Sequence, residues 1–251
     1  MTPDLALLER WFWIAISLTL AIFAILLRWI LARPGSRYAA DFHTWLQRPG
    51  AIWTIQTARL LYALGIPTLA LLWRGALTAR GLGLQAAPWS GGLVNWEDWM
   101  SDLGWGVFLG AGLWLLVRLS DRMVQRQMGA PVRRERHEWS VALREAIYHQ
   151  VHWAFYREPF ALLWGAPLGT WVGLLPVAFE AGINPDRRED LRSPARGRDL
   201  LIRVGIAIVS ALLFLKTQNL WLAIIVDAAV GWRLGYCSDD VSGATPWIAK
   251  E

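Results

Sequence analysis

The feature that most constrains the fold of this chain is a series of apolar stretches, each long enough to cross a lipid bilayer. A membrane-spanning helix needs about 20 mainly apolar residues. The stretch from residue 11 to 32 is the clearest, because its only charged residue, Arg28, lies near its far end, within reach of the headgroups. A cleavable signal peptide would be shorter and would begin with a basic region, whereas this chain begins with Asp4, Glu9 and Arg10. We therefore interpret the first stretch as a retained span.

Together the stretches predict an all-α fold, a polytopic transmembrane helical bundle of about seven spans. The predicted spans are residues 11–32, 51–73, 103–119, 138–156, 160–183, 200–215 and 220–235. The fourth is too polar to face lipid, but it contains no glycine or proline and lies between two clear spans. No repeat, low-complexity tract or linker divides the chain, so residues 1–251 are expected to form a single integral membrane domain.

The composition agrees with this prediction. Hydrophobic residues make up 55% of the chain and charged residues 18%, whereas about a quarter of the residues of a soluble domain are charged. The balance excludes a disordered protein, a disulfide scaffold and a typical cytosolic enzyme, and Cys237 has no second cysteine with which to pair. The 18 tryptophans suit the two membrane–water interfaces, where this residue concentrates.

The basic residues follow the pattern of a membrane protein rather than that of a nucleic-acid-binding protein. The net charge is +5 at pH 7, but the arginines lie between apolar runs and do not gather with aromatic residues on one face. With the N-terminus outside, 19 basic residues fall on the cytoplasmic side and 5 on the outer side. We therefore expect an integral protein of the bacterial inner membrane with a cytoplasmic C-terminus, in contact with the lipid bilayer and not with nucleic acid.

The predicted fourth span carries a row of polar side chains that needs an explanation inside a bilayer. At about 100° per residue, His149, His152 and Tyr156 lie within about 40° of Glu145 on one helix face. Ionisable groups at that depth are costly unless they face a cavity or a partner. A hydrogen-bonded network that fixes helix packing and a functional site explain the spacing equally well. In a functional site, Glu145 would be a general base, and the histidines would shuttle a proton or bind a divalent metal.

Asp227 is the other outlier, because an uninterrupted apolar run precedes it in the last predicted span. An isolated carboxylate at that depth is expected to be protonated or paired. Its expected partners are His149 or His152 across the bundle, with Arg203 on the preceding helix as the second choice. A structural ion pair or hydrogen bond is the alternative to catalysis for this residue.

Four further polar residues are expected to have ordinary roles. Asn219 precedes the last predicted helix and is expected to be its N-cap. Glu180 lies near a predicted helix end, which indicates a capping or interface position. His43 and His137 lie in basic loops and are assigned no function.

Residues 138–232 resemble the CPBP family of intramembrane proteins, which includes the CAAX prenyl endopeptidases and bacteriocin-processing proteins. An arginine-rich loop leads to a helix with a glutamate motif (ALREAIYHQVHWAFYRE), and a second apolar region follows much later (SALLFLKTQNLWLAIIVDAAVGW). The family's first motif, EExxxR, places paired glutamates on one helix. The matching positions here are Arg144, Glu145 and His149, so one glutamate is kept. The framework NLWLAII carries the resemblance most clearly.

The second and third family motifs are altered in this chain. FxxxH falls on Phe214 and Gln218, and HxxxN falls on Asp227 and Gly231. The resemblance implies a mechanism in which glutamate activates water while histidines stabilise the oxyanion or hold the site. Because the family's histidines are missing from the last two helices, His149 and His152 would replace them.

The resemblance thus implies one rearranged site and leaves three functions open. Its catalytic residues would be Glu145, His149, His152 and Asp227, with Gln218, Asn219 and Tyr156 in support. A CPBP-like intramembrane peptidase, acting on a membrane protein substrate, needs these residues to converge in a hydrated cavity. A catalytically silent scaffold or subunit of a membrane complex predicts a tightly paired Asp227 and no room for water near Glu145. A metal- or proton-handling membrane protein would use Glu145, His149 and His152, a ligand set that suits zinc or iron.

Overall fold

The fold is described from a computed structural model of the chain. The structure describes residues 3–31, 37–46, 48, 50, 51, 54, 57, 58, 61, 65–73, 81–84, 96–128, 138–184 and 194–235. Its helices are α1 (Pro3–Leu31), α2 (Arg37–Leu46), α3 (Ile66–Trp73), α4 (Trp96–Met128), α5 (Trp139–Val172), α6 (Leu174–Ile183), α7 (Pro194–Thr217) and α8 (Leu220–Leu234). These residues contain no strand, so the predicted all-α fold class is confirmed for the part of the chain that is described.

Three of these helices are long and apolar enough to cross a membrane. The stretches that meet this test are Leu8–Leu27 in α1, Trp96–Arg126 in α4 and Gly197–Thr217 in α7, and α5 with α6 meets it as a pair bent by 43°. Much of the second predicted span, residues 51–73, lies outside the described residues. The last predicted span is helical over Leu220–Leu234, but 15 residues reach only about 22 Å, short of the hydrocarbon thickness of about 30 Å.

The fourth and fifth predicted spans form a hairpin that reverses at Gly165. This glycine has φ 78° and ψ 161°, a conformation that other residues rarely adopt. Beyond it, a Cβ on Gly169 would overlap the backbone of Ala161, and a Cβ on Gly173 would lie 2.6 Å from Arg157 Cα. Two stretches whose backbones touch in this order run antiparallel. We call residues 139–164 the first limb and residues 166–183 the second limb of the hairpin.

The predicted break at residues 157–159 is therefore wrong, and the helix continues through it. The polar sequence Arg157-Glu158-Pro159 interrupts the hydropathy, yet all three residues are buried. The guanidinium of Arg157 lies over the ring of Phe214 on α7, with its carbon 3.1 Å from the ring centroid. This contact stabilises the charge inside the bundle, so Arg157 does not have to reach the membrane surface and the helix continues past it.

Two apolar clusters hold the helices together. One joins α4, α7 and α8 and includes Val117, Leu213 and Leu222, and the other joins α1, α5 and α8 and includes Phe155 and Ile224. Helix α4 approaches α8 closely, since a Cβ on Gly106 would lie 3.0 Å from a methyl group of Val226. Small residues at helix contacts are a common packing device in membrane proteins, where lipid tails compete equally for apolar surface.

A polar clamp shows which helix ends lie together. Arg198, at the start of α7, donates from Nε to Asp121 Oδ1 near the end of α4 and from Nη2 to the carbonyl of Leu234 at the end of α8, both at 2.8 Å. At the same end of the bundle, Trp139 of α5 contacts Trp232 of α8 edge to face. We call this the arginine-rich end, because the helix ends that meet here carry Arg118, Arg122, Arg126, Arg198 and Arg233.

Candidate functional site

Asp227 lies in the middle of α8, and a glutamine fixes its carboxylate. The side chain is 5% exposed, and its Oδ2 accepts a hydrogen bond of 3.0 Å from Gln150 Nε2 on the first limb. The same Nε2 donates to Ser210 Oγ on α7 at 2.7 Å. A single amide group thus connects three helices, and all three side chains are buried.

His149 completes this group, which we call the Asp227 cluster (His149, Gln150, Ser210 and Asp227). Its Nδ1 lies 3.6 Å from Asp227 Oδ2, within ion-pair distance but too long for a hydrogen bond. The imidazole stacks on the ring of Trp153, one helical turn along, with centroids 5.5 Å apart. His149 is thus the histidine of the fourth predicted span that lies beside Asp227, whereas the hydrogen bond to the carboxylate comes from Gln150.

His152 belongs to a different group, which we call the Glu180 cluster (Ser17, His152, Tyr156 and Glu180). Its Nε2 lies 2.9 Å from Glu180 Oε2 on the second limb, and Tyr156 donates its hydroxyl hydrogen to the other carboxylate oxygen. Ser17 Oγ on α1 lies 3.5 Å from the same hydroxyl. Glu180, for which a capping or interface position was expected, joins the two limbs and lies next to α1 through Tyr156.

The structure places the two histidines of the predicted site in different clusters. His149 pairs with Asp227 while His152 pairs with Glu180, and Glu145, which is 5% exposed, accepts a hydrogen bond of 3.3 Å from Arg144 Nη2. The described residues contain no group of three or more His, Cys, Asp and Glu that could hold a metal ion, so the predicted ligand set is not brought together. The physical reason is angular: positions 149 and 152 differ by about 60° around the helix, enough to face different neighbours.

The space beside Asp227 is small. It is lined by Leu113, Ile206, Val209, Ser210, Val226 and Val230, and these described residues leave no room for a water molecule. A separate cavity of about 10 Å³ lies between the two limbs and α7, which is about the room that one water needs. Neither space admits a peptide segment, which a peptidase has to bind beside its water.

The three residues predicted to support the site have separate roles. Asn219 is fully buried, and its Oδ1 accepts a hydrogen bond of 3.2 Å from Leu222 N, so the predicted N-cap is confirmed. Gln218 is exposed, belongs to neither cluster and has a φ of 49°, which the tight turn between α7 and α8 requires. Tyr156 lies in the Glu180 cluster rather than beside Asp227.

Sequence reasoning did not select Ser17, Gln150 or Ser210, and it expected a different role for Glu180. Ser17 and Ser210 are uncharged and lie in apolar segments, and Gln150 lies between His149 and His152, which the helical row selects first. Gln150 is also about 100° away from His149 around the helix, off the predicted polar row. The position of Glu180 could have been found, because a carboxylate within PVAFEAGI is as unusual in a span as Asp227 is.

No protein-family model, no curated protein and no solved structure matches this chain.

Proposed function

We propose that this chain is an integral membrane protein of seven spans, with the N-terminus outside and the C-terminus in the cytoplasm. Support comes from the three helices, and the one bent pair, that are long and apolar enough to cross a bilayer. Large apolar side chains on the outside of the bundle, such as Phe12, Phe23, Phe108 and Leu175, are more than half exposed. A soluble monomer rarely exposes so much apolar surface, whereas lipid would cover it. That the membrane is the bacterial inner membrane stays a prediction.

The arginine-rich end supports the orientation. Cytoplasmic loops carry an excess of arginine and lysine. Five arginines of α4, α7 and α8 lie near the helix ends that the Arg198 clamp brings together, whereas Lys216 lies at the opposite ends of α7 and α8. Placing the arginine-rich end in the cytoplasm gives the N-terminus-outside topology.

Reporter fusions at the two termini test this topology. We expect a periplasmic reporter to be active only at the N-terminus and a cytoplasmic reporter only at the C-terminus, because an odd number of spans places the ends on opposite sides. A fusion in the segment 129–137, between α4 and α5, is expected to report the cytoplasm. Both termini on one side of the membrane would contradict the seven-span proposal.

Within the membrane, the bundle acts as a catalytically silent scaffold or as a subunit of a membrane complex. The observation that carries this proposal is the packing around Asp227: Gln150 binds the carboxylate, His149 lies beside it, and the adjoining space has no room for a water molecule. Each polar cluster connects three helices and so has a structural use without any chemistry. Buried, hydrogen-bonded polar groups of this kind fix which helix faces meet.

An intramembrane peptidase of the CPBP type is the second candidate. Two observations favour it: Glu145 is a buried carboxylate on the helix that bears the family's glutamate motif, and a histidine–carboxylate pair lies one turn further along. On this alternative Glu145 activates water, and His149, held by Asp227, stabilises the developing charge. The mechanism requires an open conformation at Asp227, since the space beside this residue holds no water-sized molecule.

Glu145→Gln separates the two candidates. The purified protein and the variant are reconstituted in liposomes with transmembrane peptides that span a range of sequences, and cleavage is followed by mass spectrometry. As a scaffold, the wild-type protein cleaves none of them. The peptidase is established if the wild type cleaves and Glu145→Gln loses at least about a hundredfold of that activity. Glu138→Gln is the matched control, because Glu138 is an exposed glutamate at the start of the same helix.

A further inference from the structure

The cavity between the two limbs of the hairpin and α7 has a polar wall. Its lining residues are Gln150, Trp153, Arg157, Thr170, Gly173, Leu174, Ala207, Ser210 and Ala211. Four of them carry polar side chains, and each of the three structural elements around the cavity supplies at least one: Gln150 and Arg157 on the first limb, Thr170 on the second limb and Ser210 on α7. A cavity in an otherwise apolar bundle would be expected to have an apolar wall, as the space beside Asp227 mostly has.

Two of the lining residues have buried polar atoms that lack hydrogen-bond partners among the described residues. They are Nη2 of Arg157, a residue 6% exposed, and Oγ1 of Thr170, a residue 2% exposed. The contact of the guanidinium with the Phe214 ring supplies no hydrogen-bond acceptor for Nη2 in the ring plane. Buried groups of this kind are almost always paired with protein or with ordered water.

Ser210 offers a third bond at the same cavity. Its hydroxyl oxygen accepts from Gln150 Nε2, which leaves its own hydrogen to donate. The wall therefore presents two donors, Arg157 and Ser210, and a hydroxyl on Thr170 that can accept. A water molecule accepts two hydrogen bonds and donates two, and buried waters typically make about three.

We infer that one ordered water molecule occupies this cavity and connects Arg157, Thr170 and Ser210. The size of the cavity, about 10 Å³, corresponds to one water and is too small for a polyatomic anion such as phosphate. Charge also favours a neutral ligand, since Glu158 follows Arg157 directly, is buried with it and attracts its guanidinium.

This water extends the Asp227 cluster to the second limb. Gln150 and Ser210 belong to both the cluster and the cavity wall, whereas Thr170 lies beyond the reversal at Gly165. The water thus fixes the second limb against the same residues that hold Asp227. This inference goes beyond the proposed scaffold role and does not depend on it, because the water would bind in an active peptidase as well.

Thr170→Val tests the inference, because the presence of the water decides whether the melting temperature falls or rises. The substitution removes the hydroxyl and keeps the shape. If the hydroxyl had no partner, its removal would raise the melting temperature in detergent, but if it binds the water, the removal lowers it. Thr217→Val provides an upper limit for the effect, because Thr217 Oγ1 donates to the carbonyl of Leu213 at 2.9 Å and also accepts from Asn219 N at 3.2 Å. We expect both variants to melt below the wild type, and an unchanged or raised melting temperature for Thr170→Val overturns the inference.

Two further measurements decide the identity of the ligand. A structure of the wild-type protein at a resolution that shows waters is expected to have one peak within hydrogen-bond distance of Arg157 and Thr170, and its absence overturns the inference. The melting temperature is also measured in sodium chloride and in sodium gluconate of equal ionic strength. We expect the same value in both, whereas a saturable increase with chloride that Arg157→Gln abolishes would identify a chloride site and overturn the assignment to water.

Discussion

The Gly169→Ala variant is expected to lose the folded state, with a loss of more than about 4 kcal/mol in the free energy of unfolding. A Cβ at this position would overlap the backbone N and Cα of Ala161, which no side-chain rearrangement can relieve. The two limbs would have to separate, and with them the contacts of Glu180 with His152 and Tyr156. We expect the variant to be recovered in far lower yield from detergent-solubilised membranes and to give no cooperative melting transition.

Gly182→Ala is the matched control for this variant. Gly182 lies on the same limb, but a Cβ there would meet no atom within 4 Å. The added methyl removes backbone freedom from the unfolded chain, so this variant is expected to be as stable as the wild type or up to about 1 kcal/mol more stable. Equal melting temperatures for the two alanine variants would contradict the hairpin.

The helices of this fold could be predicted from the sequence where hydropathy and turn residues agree. The turn between α7 and α8 was placed at Lys216–Asn219, and the helices end at Thr217 and begin at Leu220 with Asn219 as the N-cap. The hairpin could not be placed in the same way. Its hydropathy minimum at Arg157 lies inside a helix, because Phe214 shields the charge, and its turn lies at a glycine within an apolar run.

The candidate site was predicted in its residue types but not in its grouping. Helical periodicity correctly placed Glu145, His149, His152 and Tyr156 on one side of a helix, but it contains no information about which neighbour each side chain meets. Whether two residues about 60° apart share a partner depends on where the next helices lie, and the reversal at Gly165 decides that. The reversal places Glu180 beside His152, and this histidine therefore contacts Glu180 and not Asp227.

Gln150→Leu is expected to destabilise the protein more than any neutralising change at Asp227 does. The substitution removes the amide that donates to Asp227 Oδ2 and leaves a buried carboxylate with only His149, at 3.6 Å. A lost hydrogen-bond partner costs about 1–3 kcal/mol and an unpaired buried charge about 3–5 kcal/mol, so we expect about 3 kcal/mol. That loss corresponds to a fall of about 6–12 °C in the melting temperature, measured in detergent.

Asp227→Asn is expected to cost less than about 1 kcal/mol, because the amide keeps the shape and its oxygen still accepts from Gln150. Because Gln150 and His149 both face Oδ2, the amide oxygen takes that position, and the variant removes a buried charge while it keeps the bond from Gln150. The double variant Gln150→Leu/Asp227→Leu is expected to be more stable than the sum of its single changes, since the second removes the charge that the first leaves unpaired. If Asp227→Asn proves less stable than Gln150→Leu, the carboxylate has a use other than helix packing. That result would favour the peptidase over the scaffold.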